Sequence, residues 1–284
     1  MYMLDSEILN FIIEGKLNEI QFEEEYYTLD NLRSFHNWIK LQLIFKAKNN
    51  TNGQTLLDVA VGRGGDLMKW TKAKFKYVTG FDNDSKSIYE KNEFDGAIKR
   101  YNTMKSIPNL PKVFFWNISA TDPKCIDILN GKDHSKIYDV VSCQFAFHYF
   151  VKDIDLVLKM ISSKLTKNGY FIGTSTDGDL IKNNLKNGDV SNDILNIEKT
   201  SAEMYKFNLN SYNTESKTYF ECTGASNEYF LHKDKLVAKC KEYNLEAVSI
   251  KNFHEWKLDY KGRELTRREC AASFLNFSFV FKKI

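Results

Sequence analysis

The sequence predicts an α/β fold: a mostly parallel sheet with helices on both faces and an insertion over the sheet's ligand edge. Three observations predict it. Short apolar runs alternate with helix-periodic segments from Thr55 to Thr174. The first run leads into a glycine-rich bend, LLDVAVGRGGDLMKW at 56–70, after which a helical pattern resumes. The next, YVTGFD at 77–82, closes on an acid, Asp82.

In order along the chain, helical periodicity marks residues 5–15 and about 31–48. A strand at 55–60 is followed by a helix at 64–73, a strand at 77–81 and a helix at 85–104. Apolar, β-branched and aromatic runs then predict strands at 112–116 (KVFFW), 138–143 (YDVVSC) and 169–174 (GYFIGT), with a helix at 153–165 between the last two. From 175 to 215 the regularity loosens and Asn, Asp, Ser and Lys become dense. Strands near 217–222 and 228–231, a helix at 233–243, and strands near 246–252 and at 274–281 complete the reading. The three prolines, Pro108, Pro111 and Pro123, do not mark a linker, so one domain over 1–284 is expected.

Composition narrows the function classes. With 43% hydrophobic and 27% charged residues the chain can bury a substantial core. Its 40 Lys+Arg against 37 Asp+Glu leave a net charge of only +3, so a polyanion would need a local basic cleft. The N-terminal MYMLDSEILNFIIEGKL is acidic and broken by charge, which predicts neither a secretory signal nor a membrane span. Cys125, Cys143, Cys222, Cys240 and Cys270 are scattered, with no CxxC pair and no histidine cluster beside them. They read as buried thiols in a reducing compartment, and no metal is expected.

The bend is the first strand-to-helix turn, and in a parallel sheet the N–H groups of Gly62, Gly64 and Gly65 then lie at the carboxyl edge, where ligands bind. Asp82, at the end of the second strand, is placed to accept hydrogen bonds from a ribose 2′- and 3′-OH. A nucleoside-containing cofactor follows. The dinucleotide fingerprint G-x-G-x-x-G requires a last glycine that Asp66 and Leu67 displace, and an acid and an arginine beside the turn suit a zwitterionic amino-acid cofactor. A methyltransferase is therefore favoured over a dehydrogenase.

These segments, with VVSCQFAFHYF at 140–150, LRSFHNWIK at 32–40, GYFIGT, SND at 191–193 and NEYF at 227–230, resemble the messenger-RNA cap guanine-N7 methyltransferases, from about Asn31 to Lys283. The Asn- and Lys-rich composition resembles most the versions from large cytoplasmic DNA viruses, where this unit is the C-terminal domain of a capping enzyme. The resemblance implies a Rossmann-like, class I S-adenosylmethionine-dependent methyltransferase fold. It divides the domain into an N-terminal helical segment contributing to the cofactor site (1–50), a cofactor core (51–174), a cap-binding insertion (175–232) and a C-terminal helix and strands (233–284).

For the cofactor it implies Lys40 at the methionine carboxylate, Asp58 near the amino group, Ala60 and Gly62 at the turn, Asp82 at the ribose, Ser119 at the adenine, and Gln144 and Phe145 at the end of the fourth strand. For the cap it implies Asn37, Arg63, Asp66 and Arg100 along the triphosphate and ribose, with His148 and Tyr149 around the guanine. Glu228 would read the guanine N1–H and N2 amino edge, because a carboxylate accepts two parallel hydrogen bonds there that adenine cannot offer. Guanine N7 carries a free lone pair, so His148, Tyr149 and Glu228 are expected to position the base and none to act as a general base. The implied partners are capped RNA and other capping activities on the same or a longer polypeptide, and the implied place is the cytoplasm (replication sites or virion) for a viral protein or the nucleus for a cellular one.

The chain departs from the family pattern at four places, one of them His36-Asn37 where Asn-Asn is frequent. Ala60-Val61-Gly62 stands where Gly-Cys-Gly is usual, Ser119 (with Asp122 nearby) where an aspartate reads adenine, and Asn276 where a tyrosine packs on the cap. Two alternatives stay open. A methyltransferase acting on another substrate would share everything up to residue 140 but gives no reason for NEYF or the basic KRYNTMK. A non-catalytic capping subunit would explain Ala60 but not the retention of Lys40, Asp58, Gly62 and Asp82.

Overall fold

The apolar run before the glycine bend becomes a central strand, and the rest of the sheet is ordered around it. The computed structural model describes residues 2–22, 29–132, 137–210 and 225–284, with side chains from residue 5. The strand expected at 217–222, and Cys222 with it, lie outside the described residues.

The elements begin with α1 (Tyr2–Glu14) and α2 (Asp30–Thr51), followed by β1 (Thr55–Val59), α3 (Leu67–Lys72) and β2 (Tyr77–Asp82). Next come α4 (Ser85–Tyr89), α5 (Ala97–Thr103), β3 (Lys112–Asn117), α6 (Cys125–Lys132) and β4 (Tyr138–Gln144). A 3₁₀ segment (Phe147–Asp153) leads into α7 (Ile154–Lys164), β5 (Leu165–Thr176) and α8 (Gly178–Asn184). Strands β6 (Val190–Ser191), β7 (Leu195–Lys199), β8 (Met204–Leu209) and β9 (Ser226–Tyr229) precede α9 (Lys233–Glu242) and β10 (Leu245–Asn252). The chain closes with α10 (Phe253–Lys257), α11 (Arg267–Ser273) and β11 (Asn276–Lys283).

The chain divides into two compact units. One holds residues 1–39, 175–234 and 250–278; the other holds 40–174, 235–249 and 279–284. Most of a seven-stranded sheet, in the order β10-β11-β5-β4-β1-β2-β3, belongs to the second unit. Strand β1 pairs in parallel with β2 and β4, and β2–β3 and β4–β5 are parallel too. Order reverses at β1, so the β1 and β4 carboxyl ends lie side by side at the switch point where such sheets bind ligands. Leu56, Leu57, Val78, Val140, Val141, Phe171 and Ile172 are buried along these strands, as expected for strands covered on both faces.

The first unit carries an antiparallel sheet, β6-β7-β8-β9. Its strands bury Leu195 and Ile197 from β7 and Tyr205, Phe207 and Leu209 from β8. That alternation was present in the polar stretch 175–215, where the sequence reading expected no regular strands. The same stretch also contains α8, whose N-terminal Asp177 accepts from the N–H groups of Asp179 and Leu180.

Two further expectations are corrected. The single helix expected at 85–104 is broken into α4 and α5. After Tyr89 the Glu90 carboxylate takes the N–H groups of Lys91 and Asn92, each at 2.7 Å. Gly96 then packs so closely that a Cβ would lie 2.9 Å from Glu90 N and Ile88 O. Helices α6, α10 and α11 went unread, although Thr266 and Glu269 form a capping box over α11, a pattern the sequence displays.

Candidate active site

Strand β1 delivers the chain to the glycine bend through left-handed backbone. Ala60 has φ 58°, Gly62 52° and Gly64 71°. At Gly62 a Cβ would meet nothing within 4 Å, so the space in front of that peptide is open. The bend is tied to the second strand: Val61 N–H donates to Phe81 O at 3.0 Å, and Gly62 N–H to Asp82 Oδ2 at 2.8 Å. Asp84 N–H donates to Asp82 Oδ1 at 2.9 Å, which fixes the Asp82 carboxylate from both sides. Burial pushes the Asp82 carboxyl above the usual carboxylate range, against the pull of those N–H groups.

An L-residue in the left-handed region is strained by about 1 kcal/mol or more, and strain of this kind gathers at functional turns. Ala60→Gly is therefore expected to stabilise the protein by about 1 kcal/mol. A thermal melt checks it; an unchanged or lowered midpoint would show that Ala60 is not strained.

Beside the bend is a cavity of about 160 Å³ lined by Ala60, Asp82, Asn83, Ser119, Tyr149 and Asp153, among others. Ser119 lines it, its Oγ 2.9 Å from Thr121 Oγ1. Asp122 is not among the lining residues; its carboxylate accepts from Lys124 N–H ahead of α6. Asp153 and Asn83 line the cavity without having been picked out in the sequence.

Behind the bend sits a buried charge cluster. Asp66 is 5% exposed, and its Oδ1 is 2.8 Å from Lys40 Nζ and 2.7 Å from Lys69 Nζ. Burial pushes the Asp66 carboxyl up, but the two ammonium groups outweigh it and hold it at about 2. Lys69 Nζ also donates to Gly65 O at 3.2 Å, and burial draws its own pKa down. Asp58, 3% exposed, is pushed well above the carboxylate range by burial and next by the Asp66 charge, while a Ser142 hydrogen bond and Lys40 oppose. Asp66 thus sits with Lys40, on the side the resemblance gives to the cofactor, although the sequence reading placed it along the cap. Lys69 was missed there altogether; its signal was the i, i+3 spacing from Asp66.

The end of β4 mirrors that of β1. Phe145 has φ 54°, an outlier for an aromatic residue, and its N–H is held by Thr174 O at 2.8 Å and Thr174 Oγ1 at 3.1 Å. Gln144 is fixed by donating to Ser142 Oγ and accepting from Thr174 Oγ1, both at 3.1 Å. His148 is buried, with its ring 4.2 Å from that of Tyr149, which is 40% exposed at the cavity wall.

Of the remaining residues, Arg63 lies 4.2 Å over the Phe94 ring and donates from Nε to Asp95 O at 3.1 Å. Arg100 is half-buried on α5, and Asn37 is exposed on α2. Glu228 belongs to the other unit. It is 2% exposed on β9, and its Oε2 accepts from Tyr205 OH at 2.6 Å and Thr176 Oγ1 at 3.2 Å, its Oε1 from Ser226 Oγ at 2.8 Å. Asn276 is taken up structurally, donating to Ala272 O and Ser273 O at the end of α11. Cys125, Cys143, Cys240 and Cys270 are buried free thiols; burial pushes Cys125 up to about 11 and Cys270 to about 12. Among the described residues no group of His, Cys, Asp and Glu could hold a metal ion, and no helix is long and apolar enough to cross a membrane.

A solved S-adenosylmethionine-dependent methyltransferase from Clostridium acetobutylicum superposes with a TM-score of 0.57 at 14% identity, covering 88% of this chain and 92% of that one. The fold is thus the Rossmann-like class I methyltransferase fold, with the bend and Asp82 at its ligand edge. Residues 16–273 match the mRNA (guanine-N(7))-methyltransferase domain model, and the chain belongs to that family. Among curated relatives it is 36% identical over 174 residues to a "Probable mRNA-capping enzyme" of Acanthamoeba polyphaga mimivirus, covering 55% of this chain and 14% of that protein. It is 27% identical over 300 residues to "mRNA cap guanine-N(7) methyltransferase 1" of Arabidopsis thaliana, covering 94% of this chain and 79% of that one.

Proposed function

We propose that the chain transfers a methyl group from S-adenosylmethionine to N7 of the guanosine cap of RNA, turning GpppN-RNA into m7GpppN-RNA. The observation that carries this reading is the family match over residues 16–273. The cofactor residues fit: the open peptide at Gly62, the fixed Asp82 carboxylate and the cavity at Ser119 suit an adenosine, and buried Asp58 and Lys40 suit an ammonium and a carboxylate.

When bound, S-adenosylmethionine supplies an electrophilic methyl group on a positively charged sulfur. Guanine N7 offers an in-plane lone pair, so no residue has to remove a proton. In this reading Lys40, Asp58, Gly62, Asp82, Ser119, Gln144 and Phe145 bind and orient the methyl donor, with Ala60 holding the turn. Asp66 and Lys69 fix the position of Lys40. His148 and Tyr149 position the guanine, Glu228 reads its N1–H and N2 amino edge, and Arg63, Arg100 and Asn37 meet the triphosphate and ribose. Rate then comes from holding the reacting atoms in line, worth up to about 7–11 kcal/mol where orientation is complete. Residues 1–284 are taken as one methyltransferase domain.

The aligned 174 residues make up only 14% of the mimivirus relative's length, which supports other capping activities on the same or a longer polypeptide. The place of action would be that of capping: cytoplasmic in a viral setting, as the mimivirus relative suggests, or nuclear in a cellular one. The test is transfer of labelled methyl from S-adenosylmethionine to GpppG-capped RNA by this chain alone, followed by nuclease digestion. Label in m7GpppG is expected. Cofactor binding without transfer would favour the non-catalytic subunit, and label at another position would favour another substrate.

A further inference from the structure

We infer that a basic groove in the first unit binds the phosphodiester backbone of the RNA that follows the cap. The inference rests on the cap reading above and adds a site for the transcript body. The groove, of about 670 Å³, is lined by Lys182, Lys186 and Lys199 around Phe230 and Asp179. Lys182 and Lys186 are four residues apart, on and just beyond α8, and so share one side of it. Lys199 reaches the groove from the end of β7.

The groove's lining is mostly positive. Some surface lysines elsewhere meet acids, as Lys86 does Glu93, Lys99 Asp95, and Lys239 both Asp155 and Glu242. The three groove lysines are exposed, and no acid among the described residues lies within ion-pair distance of any of them. Asp179 is the acid of the lining, its Oδ1 2.6 Å from His232 Nδ1, and the Lys199 N–H donates to Asp189 Oδ1 at 2.9 Å. Among the described residues the lining therefore sets three lysines against one acid, in a chain whose net charge is only +3. This is the local basic cleft that a polyanion requires.

The groove also adjoins the residue proposed to read guanine. Phe230, in its lining, has its ring 4.9 Å from that of Tyr205, and Tyr205 OH donates to the Glu228 carboxylate at 2.6 Å. Thr176, a second donor to Glu228, is one residue before Asp177, which caps α8 and so sets where Lys182 and Lys186 fall. A nucleotide chain leaving a guanine at Glu228 thus has three lysine ammonium groups within the same unit, that of Lys182 lying 6.0 Å over the Phe230 ring.

Phosphate contacts show themselves through salt. Each neutralised phosphate of a single strand contributes about 0.7 to the slope of log affinity against log salt, so losing three should lower it by about 2. The experiment measures fluorescence anisotropy of a GpppG-capped 20-nucleotide RNA and calorimetric binding of GpppG dinucleotide, using the full chain and K182Q/K186Q/K199Q. The variant should bind the RNA on the order of tenfold to a hundredfold more weakly near 0.1 M salt, with the shallower slope, and bind GpppG like the wild type. A triple arginine variant should keep wild-type RNA affinity, which separates lost charge from lost structure. Unchanged RNA affinity in the glutamine variant would overturn the inference. An equal loss on GpppG would also overturn it, by assigning the lysines to the cap's own triphosphate. If the wild type fails to methylate GpppG while the RNA losses appear as expected, the cap reading fails and the groove stands.

Discussion

Glu228→Gln is expected to lower methyl transfer to capped RNA by about 30- to 1000-fold, or about 2–4 kcal/mol, while leaving S-adenosylhomocysteine affinity and the melting midpoint close to wild type. The fold should tolerate the change because the carboxylate is held by three hydroxyls, those of Tyr205, Thr176 and Ser226. A hydroxyl donates or accepts as needed, and Thr176 Oγ1 and Tyr205 OH, 2.7 Å apart, can also satisfy each other. Guanine has no such freedom. Its N1–H and N2–H both donate, so an amide nitrogen in place of one carboxylate oxygen sets donor against donor and leaves one buried group unpaired. Inosine-capped RNA, which lacks the N2 amino group, should be a poorer substrate for the wild type and be penalised less by the substitution. Equal losses on both caps would mean that Glu228 does not read the N2 amino group. An unchanged rate on both would remove it from recognition.

The parts of this molecule readable from sequence are those where a local pattern has a local cause. Strands β1, β2 and β4 are apolar because neighbours cover both their faces, and the bend carries glycine at two of its left-handed positions, Gly62 and Gly64, so the cofactor edge announces itself between 56 and 82. Reading fails where the cause is distant. The hydroxyl cage of Glu228 joins residues 23 and 52 positions away, and no spacing within NEYF points to Tyr205 or Thr176. The resemblance alone gives Asp66 to the cap; that its side chain meets Lys40 on α2 is something only the folded chain reveals. The polar hairpin β7–β8 was hidden because its solvent face is Asn, Glu and Lys, which dilutes the alternation of its buried face. Asn276 shows the reverse case, a departure from the family pattern with a structural occupation: its side chain closes the end of α11.

Asp58→Asn is expected to act in two opposite directions. Burial first, and the Asp66 charge second, raise the Asp58 carboxyl in the folded state well above its unfolded value near 3.9, despite the Ser142 hydrogen bond and Lys40. Between those two values the folded state holds the proton that the unfolded state has lost, so the contribution of Asp58 to stability is most favourable below about pH 4 and declines as pH rises towards the folded value. Asparagine carries no charge to bury and retains groups that can meet the Ser142 hydroxyl, so the substituted protein should melt above wild type at neutral pH. That advantage should shrink towards zero as pH falls to about 4. Cofactor affinity should move the other way. If Asp58 receives the ammonium of the methionine moiety, removing its charge should weaken S-adenosylhomocysteine binding by about 2–3 kcal/mol, roughly 30- to 150-fold. The same pairing requires Asp58 to be ionised, so wild-type affinity should rise with pH up to the folded value, with proton release on binding, and both effects should vanish in the substituted protein. Calorimetry in two buffers of different ionisation enthalpy measures the proton directly. Methylthioadenosine, which lacks the amino acid group, should bind both proteins alike. A substituted protein that is stabilised yet binds S-adenosylhomocysteine like wild type would leave Asp58 as a buried acid of the fold with no part in the cofactor site.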